Sequence, residues 1–281
     1  MSALLDAPLA DVHARLAEAV ARHDRLVVAF SGGADSALLA SVATAELGRD
    51  RVLCATAVSP SLAEEDEHEC ERLALEWGLR FVALRTNEVA NPAYQQNTLD
   101  RCYFCKAELM DVLGATALAE RAEVALGVNL DDLGEHRPGQ LAARERGAVF
   151  PLVEAKLDKE TVRALSRALG LSTWDKPANA CLSSRIPHGT PVTVGLLSQV
   201  ARAEGALRQM GFSGLRVRHY GDAARIELPE KDLAAAVALH REIVEALKGV
   251  GYRYVTLDLE GFRSGNLAQT ALAVQSTTVQ S

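Results

Sequence analysis

The feature that most constrains this chain is an apolar run, Leu26-Val27-Val28-Ala29-Phe30, that breaks directly into Ser31-Gly32-Gly33-Ala34-Asp35-Ser36. A helical pattern, Ala37-Leu38-Leu39-Ala40-Ser41-Val42-Ala43, follows without a linker. Residues 26–30 read as a buried strand of a parallel sheet. Two adjacent glycines between strand and helix allow a tight turn that points successive N–H groups inward at a helix N-terminus. Such a nest holds an anion, and the helix dipole favours it further. The Walker pattern is absent, because no Gly-Lys-Ser/Thr follows.

The alternation continues. Further strands are expected at 52–58, 79–84 and 123–128, with helices at 35–47, 63–77 and 106–119. Another helix, 159–169, is bracketed by Asp158 and Gly170. Ser61-x-x-Glu64 reads as a capping box, and Gly78 as a C-terminal stop. Strands separated by helices of this length imply an α/β fold with a doubly wound parallel sheet. Ligands bind such sheets beyond the strand C-termini, where Ser31–Ser36 lies. From 170 to 194 the pattern dissolves into Pro, Ser, Asn and Gly. A second, smaller α+β unit is then expected: helix 196–210, strands 215–220 and 224–228, helix 232–247 and strand 252–259. The organisation read from these shifts is a first domain over 1–175, an inter-domain loop over 176–194 that carries Cys181, a small α+β domain over 195–266, and a fraying tail over 267–281.

Charge and hydropathy narrow the function classes. There are 37 acidic against 30 basic residues, a net charge of −7, which argues against a nucleic-acid partner. No apolar run reaches the roughly 18 residues a membrane helix needs. The start, Met-Ser-Ala-Leu-Leu-Asp-Ala-Pro, lacks a basic n-region, so a cytoplasmic protein without membrane partners is expected. Five cysteines, an odd count, argue against a disulfide framework. Cys54 lies in an apolar strand and reads as a small core residue. Cys70 falls in an acidic helix with no partner by local spacing.

The remaining three thiols point to chemistry. Cys102-Tyr103-Phe104-Cys105 sets two thiols at metal or redox spacing, and flanking Arg101 and Lys106 favour thiolate. Cys181 sits in the polar stretch Lys176-Pro177-Ala178-Asn179-Ala180-Cys181-Leu182-Ser183-Ser184-Arg185 rather than on an apolar element. Three thiolates suit a cubane cluster with one open iron. A zinc site would want a fourth ligand, for which His188 is nearest in sequence, so Cys₃His zinc stays open. Arg216-Val217-Arg218 places two guanidinia on one face of a strand, and such forks suit phosphate and carboxylate. Glu204, by pattern alone, reads as a residue of an exposed helix.

Ser-Gly-Gly-x-Asp-Ser resembles the pyrophosphate loop (PP-loop) of ATP pyrophosphatases, which cleave ATP between the α and β phosphates. Taken together, Ser31–Ser36, Asp100–Lys106, Gly127-Val128-Asn129-Leu130-Asp131-Asp132, His136-Arg137-Pro138-Gly139, Lys176–Pro187 and Asp258–Gly265 resemble the LarE family, over roughly residues 10 to 265. These are ATP-dependent sulfur transferases that mature the nickel-pincer cofactor of lactate racemase. The resemblance implies adenylylation of the carboxylates of pyridinium-3,5-dicarboxylic acid mononucleotide and their conversion to thiocarboxylates. It implies that Ala29, Ser31, Gly32, Gly33, Asp35, Ser36, Gly127 and Asn129 hold ATP, with Asp35 acting through Mg²⁺. It further implies that Arg185, Glu204, Arg216, Arg218 and Arg263 hold the nucleotide substrate. In one branch of the family the cysteine matching Cys181 surrenders its own sulfur; in the other, three cysteines hold a [4Fe-4S] cluster. All three are present here as Cys102, Cys105 and Cys181, which favours the cluster, fed by a sulfide source. Family members form symmetric oligomers, so a homo-oligomer is expected. The competing readings are Cys181 as sacrificial donor, a tRNA-thiolating enzyme of the same loop type, and an adenine-nucleotide sensor that would leave the thiols without a role.

Overall fold

The computed structural model of the protein describes residues 5–133, 138–177 and 180–262. Among the described residues the chain forms two compact units, one made of residues up to 94 with those between 100 and 177, the other of 95–99 with 180–262. In the first unit, β1 (Leu26–Ala29), β2 (Val52–Val58), β3 (Phe81–Arg85) and β4 (Glu123–Leu126) lie in the order β3-β2-β1-β4, every neighbouring pair parallel. Side chains alternate across a pleated strand, so each strand feeds two cores. Val27, Leu53, Ala55, Val124 and Leu126 pack with Met110 and Leu113 of the helix Arg101–Glu120. Leu26, Val28, Val52, Cys54 and Ala125 pack on the other face with Leu16, Leu38, Leu39, Val162 and Leu165. Helices therefore cover both faces, the doubly wound α/β arrangement expected from the alternating pattern. Cys54 is fully buried, and burial pushes its thiol up to about 12, as befits a core residue.

In the second unit the helix Val194–Gln209 precedes β5 (Arg216–Tyr220), β6 (Ala223–Glu227) and β7 (Tyr254–Leu257). β5 and β6 pair antiparallel across Gly221, whose φ of +60° suits a glycine in the turn, and β7 adds to β6 in parallel. Leu207, Leu215, Val217, Ile226, Leu228 and Leu247 form its core.

Three local expectations differ from the structure. Ser61 does not cap the helix Glu64–Glu76; the N-cap is Ala63, which makes no side-chain cap bond. The Ser61 hydroxyl donates instead to Glu88, a buried carboxylate that also accepts from Ser59 Oγ at 2.5 Å. The acidic first turn, Glu64 to Glu67, offsets the missing cap through the helix dipole. The helix expected at 106–119 begins at Arg101, so both thiols of the Cys-x-x-Cys lie inside it. The single helix expected over 232–247 is two, Leu233–Ala238 and His240–Gly249, because Leu239 leaves the helical region at ψ 21°. Among the described residues no helix is long and apolar enough to cross a membrane.

Candidate functional site

The turn after β1 is built from its glycines unequally. Gly32 takes φ +65°, the left-handed region, and a Cβ there would sit 3.1 Å from Cys70 Sγ. Gly33 is the N-cap of the helix Ala34–Leu47 at φ −84°, where a Cβ would meet only Ser31 Oγ at 3.5 Å. The tight turn therefore depends on Gly32, while Gly33 occupies an ordinary extended position. Gly127, after β4, has the tightest fit: its Cβ would lie 2.7 Å from Ser36 N and 2.9 Å from Asp35 C. No side chain fits where the β4 turn presses on the start of this helix.

Polar groups converge on the loop. Ser36, 5% exposed, accepts from Ser31 N at 3.2 Å and donates to Gly33 O at 3.2 Å. Asp35 accepts from Asn129 Nδ2 at 2.9 Å on one oxygen and from Lys159 Nζ at 2.5 Å on the other. Asn129 is held in turn: its N–H donates to Asp132 and its Oδ1 accepts from Asp131 N. Lys176, whose Nζ would lie 3.7 Å from a Gly32 Cβ, pairs with Glu69 at 3.0 Å. Two ammonium groups thus flank a loop whose first helical N–H groups lack intrahelical acceptors. Beside the loop is a cavity of about 250 Å³ lined by Ala29, Ser31, Asp35, Ser36, Ala55, Ala57, Cys70, Lys106, Leu126, Gly127 and Val128 among others. Small apolar side chains from the C-terminal ends of three adjacent strands make a slot, and the loop closes one end. A slot of this lining beside a helix N-terminus could accommodate a flat apolar ring joined to an anion.

The helix Arg101–Glu120 carries Cys102 and Cys105 in its first turns, three residues apart and so on one face. Cys102 is exposed, Cys105 is partly exposed, and neither is in a disulfide. Tyr103 between them is anchored by its hydroxyl, which donates to Glu145 at 2.6 Å, and by the Arg146 guanidinium 6.0 Å from its ring centre. Gly139 lets the helix Pro138–Glu145 approach this turn, since a Cβ there would lie 3.1 Å from Cys102 O. Burial lowers the Lys106 ammonium, and the Cys105 and Cys102 thiols oppose that shift. Burial also raises the Cys70 thiol, which keeps it protonated.

In the second unit the cations are buried, not solvated. Arg185 is 3% exposed and grips the fully buried Glu204 through Nε at 2.8 Å and Nη2 at 3.2 Å. Glu204 also accepts from Arg208 at 3.0 Å and Val217 N at 3.1 Å, so the residue that patterning placed on an exposed helix face is the centre of a network. The Nη1 of Arg185 donates to the carbonyls of Ala180 and Cys181, bracing the segment that presents the exposed Cys181. Arg218, 2% exposed, bonds Glu227 at 3.0 Å and Ser184 O at 2.7 Å. Arg216 differs. It is 7% exposed, stacks on Phe262 at 4.6 Å and has no carboxylate partner among the described residues. Burial, then the like charges of Arg185 and Arg218, pull its guanidinium from 12.5 down to about 10. Glu227 and Glu204 act in the opposite sense without offsetting that shift, and a buried guanidinium of this kind has the chemistry to pair with an anion.

The structure thus gathers Ala29, Ser31, Asp35, Ser36 and Gly127 around one cavity, with Asn129 behind Asp35. It gathers Arg185, Glu204, Arg216 and Arg218 in the second unit. Arg263 lies outside the described residues, as do His136 and Arg137. Among the described residues no group of three or more His, Cys, Asp or Glu that could hold a metal ion comes together. Lys159 is the site residue that sequence reading missed. Its only signal is its place directly after the helix cap Asp158.

No protein-family model matches the chain. It is 47% identical over 87% of its length to an uncharacterized protein of Synechocystis, covering 92% of that protein. It is 27% identical over 86% of its length to an uncharacterized protein of Methanocaldococcus jannaschii. It is also 38% identical over 97% of its length to the pyridinium-3,5-bisthiocarboxylic acid mononucleotide synthase of Lactiplantibacillus plantarum, covering 99% of that enzyme. A match of that extent runs through the loop after β1, the Cys-x-x-Cys helix, the Cys181 segment and the arginine-bearing strand alike, and on it the chain belongs to the LarE family.

Proposed function

We propose that the protein is an ATP-dependent sulfur transferase that converts the carboxylates of pyridinium-3,5-dicarboxylic acid mononucleotide to thiocarboxylates. The observation that carries this reading is the loop after β1. Gly32 at φ +65° turns it, Gly127 packs on its backbone, and Lys159 and Lys176 stand beside it. The product class follows from the name of the Lactiplantibacillus plantarum relative.

A carboxylate is a poor acyl electrophile, and joining it to AMP makes a mixed anhydride with a good leaving group. In the first step a substrate carboxylate oxygen attacks the α-phosphorus of ATP and the bond to the β-phosphate breaks. The slot between Ala29, Ala55 and Val128 takes the adenine, and Ser31, Gly32, Gly33 and Ser36 hold the departing pyrophosphate. Asp35 would hold Mg²⁺, which neutralises phosphate charge when bound. Each carboxylate oxygen already accepts one bond and keeps a second lone pair for the cation. Lys159 keeps Asp35 aimed into the cavity. Arg216 binds a phosphate or carboxylate of the mononucleotide, while Arg185 and Arg218, committed to Glu204 and Glu227, hold the frame around it.

In the second step a sulfur nucleophile attacks the acyl carbon, AMP leaves, and the thiocarboxylate remains. The accessible thiols of Cys102, Cys105 and Cys181 suit iron as a donor set and would hold a [4Fe-4S] cluster. When bound, that cluster supplies an open iron for an external sulfide. The test is a product analysis with ATP, sulfide and the dicarboxylate mononucleotide. AMP, pyrophosphate and a thiocarboxylated nucleotide are expected; ADP with inorganic phosphate would overturn the adenylylation.

A further inference from the structure

The serine that fails to cap the helix Glu64–Glu76 serves another purpose. Residues 59–62 follow β2 as a turn, closed by a bond from Leu62 N to Ser59 O at 3.0 Å. Pro60 stands at the second place of that turn, where its fixed φ is preset. Within the turn Ser59 Oγ accepts from Ser61 N at 3.2 Å. Glu88 reaches it from the segment after β3, the neighbouring strand. Glu88 is 3% exposed, and one of its oxygens, Oε1, accepts from both Ser59 Oγ at 2.5 Å and Ser61 Oγ. No cation pairs with it among the described residues. Burying a carboxylate against hydroxyl donors alone costs stability, and an ordinary solvated turn at a strand end needs no such group.

What the turn carries gives the carboxylate its meaning. Leu62 lines the cavity beside the loop at 31–36, together with Phe30, Ala55 and Ala57. The next residue, Ala63, is the N-cap of the helix Glu64–Glu76, which brings Cys70 into the same lining and against Gly32. The segment bearing Glu88 is itself fixed by its neighbours: Thr86 N donates to Val58 O at 3.0 Å and Asn87 N to Glu108 Oε1 at 3.0 Å. Glu108 lies on the helix Arg101–Glu120, whose next residue, Leu109, also lines the cavity. All of these residues belong to the first unit.

We infer that Glu88 is a positioning residue for the nucleotide base: through Ser59 and Ser61 it holds the turn that sets Leu62 as a wall of the slot. This rests on the reading above that the slot takes the adenine of ATP. Glu88 itself is not among the residues lining the cavity, so it acts through Leu62 rather than by contact. Without the carboxylate, two hydroxyls lose their acceptor and the turn keeps only its own bonds, so Leu62 leaves the place where it presses on the base. Contact with the base is the same in the ground state and the transition state, so its loss falls on nucleotide affinity rather than on turnover. The anion end of the site is built from other residues, Ser31, Gly32 and Ser36, and keeps its affinity.

The test is a pair of binding titrations on the full-length protein, with AMP and with inorganic pyrophosphate as probes, and a steady-state assay of AMP formation alongside. Glu88→Ala should weaken AMP on the order of tenfold and raise the KM for ATP by the same factor, with kcat and pyrophosphate affinity unchanged. Glu88→Gln presents one amide oxygen to the same two hydroxyls and should restore AMP binding to within a few-fold of wild type. Leu62→Ala removes the wall, leaves the turn, and should reproduce the loss of AMP. Should Glu88→Ala misfold, Ser61→Ala removes one of the two bonds and should weaken AMP by a smaller factor, again sparing pyrophosphate. AMP and pyrophosphate weakened equally, or AMP binding unchanged in Glu88→Ala and Ser61→Ala, would overturn the positioning role and leave the reading of the slot standing. A wild-type protein that does not bind AMP would overturn the reading of the slot and this inference with it.

Discussion

Replacing Gly127 with alanine asks for a single methyl group where the structure has no room. The new Cβ would lie 2.7 Å from Ser36 N and 2.9 Å from both Asp35 C and Ser36 Cα, against an ordinary contact of 3.4 Å or more. All three neighbours are backbone, so no side chain can swing away. The start of the helix Ala34–Leu47 must then retreat by about 0.7 Å, or the β4 turn must. Overpacking of this kind costs about 1–3 kcal/mol of stability. The functional cost is larger. Asp35 and Ser36 are the residues displaced, and if they hold the reacting phosphates as proposed, a misplacement near 1 Å costs on the order of 100-fold in rate. Gly33→Ala is the control, because its Cβ meets only Ser31 Oγ at 3.5 Å and its φ is unstrained. The assay is AMP formation from ATP, with a thermal melt of each variant alongside. Gly127→Ala should lose about two orders of magnitude while staying folded, and Gly33→Ala should stay within a few-fold of wild type. Equal loss in both variants, or full activity in Gly127→Ala, would refute the geometry.

Other perturbations separate roles that the geometry distinguishes. Arg216→Leu removes a buried cation with no carboxylate partner, so the melting temperature of the second unit should rise while mononucleotide binding is lost; calorimetry and a binding titration read both. Arg218→Leu leaves the buried Glu227 with Arg225 alone and should lower melting instead. Glu204→Gln leaves Arg185 buried without its counter-charge and should cost about 3–5 kcal/mol in denaturant unfolding. On the proposed role of Asp35 at the phosphates, Lys159→Gln should cut AMP formation roughly 10–100-fold, with little change in melting because the pair is partly exposed. For Arg216 the pH sign is fixed. Its folded pKa, near 10, lies below the ordinary 12.5, so its charge costs stability at neutral pH. That cost is relieved only as pH rises through 10, and an anion bound at neutral pH should relieve it in the same direction.

The strands and helices around the loop at 31–36 were legible because their signals are local, whereas the helices Ala7–Ala21 and Pro138–Glu145 were not expected. β2 spans Val52–Val58 as its apolar run suggests, and the loop at 31–36 announces itself by two glycines between strand and helix. What stayed hidden depends on distant partners. Nothing in the pair Gly32-Gly33 tells which glycine needs a positive φ, and nothing around Gly127 shows that a helix presses on it. Lys159 meets Asp35 across 124 residues of chain. Glu204 had an unused signal: Leu197, Val200 and Leu207 mark the buried face of its helix, and residue 204 falls on that stripe. Ser61 carried the right spacing for a cap and lost its hydroxyl to Glu88, a competition that only tertiary structure reveals.

On the proposed function, a substrate carboxylate is adenylylated by ATP before sulfur replaces one of its oxygens, and the fate of that oxygen reports the order of steps. With pyridinium-3,5-dicarboxylic acid mononucleotide labelled with ¹⁸O in its carboxylates, the carboxylate oxygen that attacks the α-phosphorus stays on AMP when sulfur displaces it. One ¹⁸O is expected in each AMP formed per thiocarboxylate made, read by mass spectrometry. Unlabelled AMP accompanying thiocarboxylate, or nucleotide released as ADP, would contradict it.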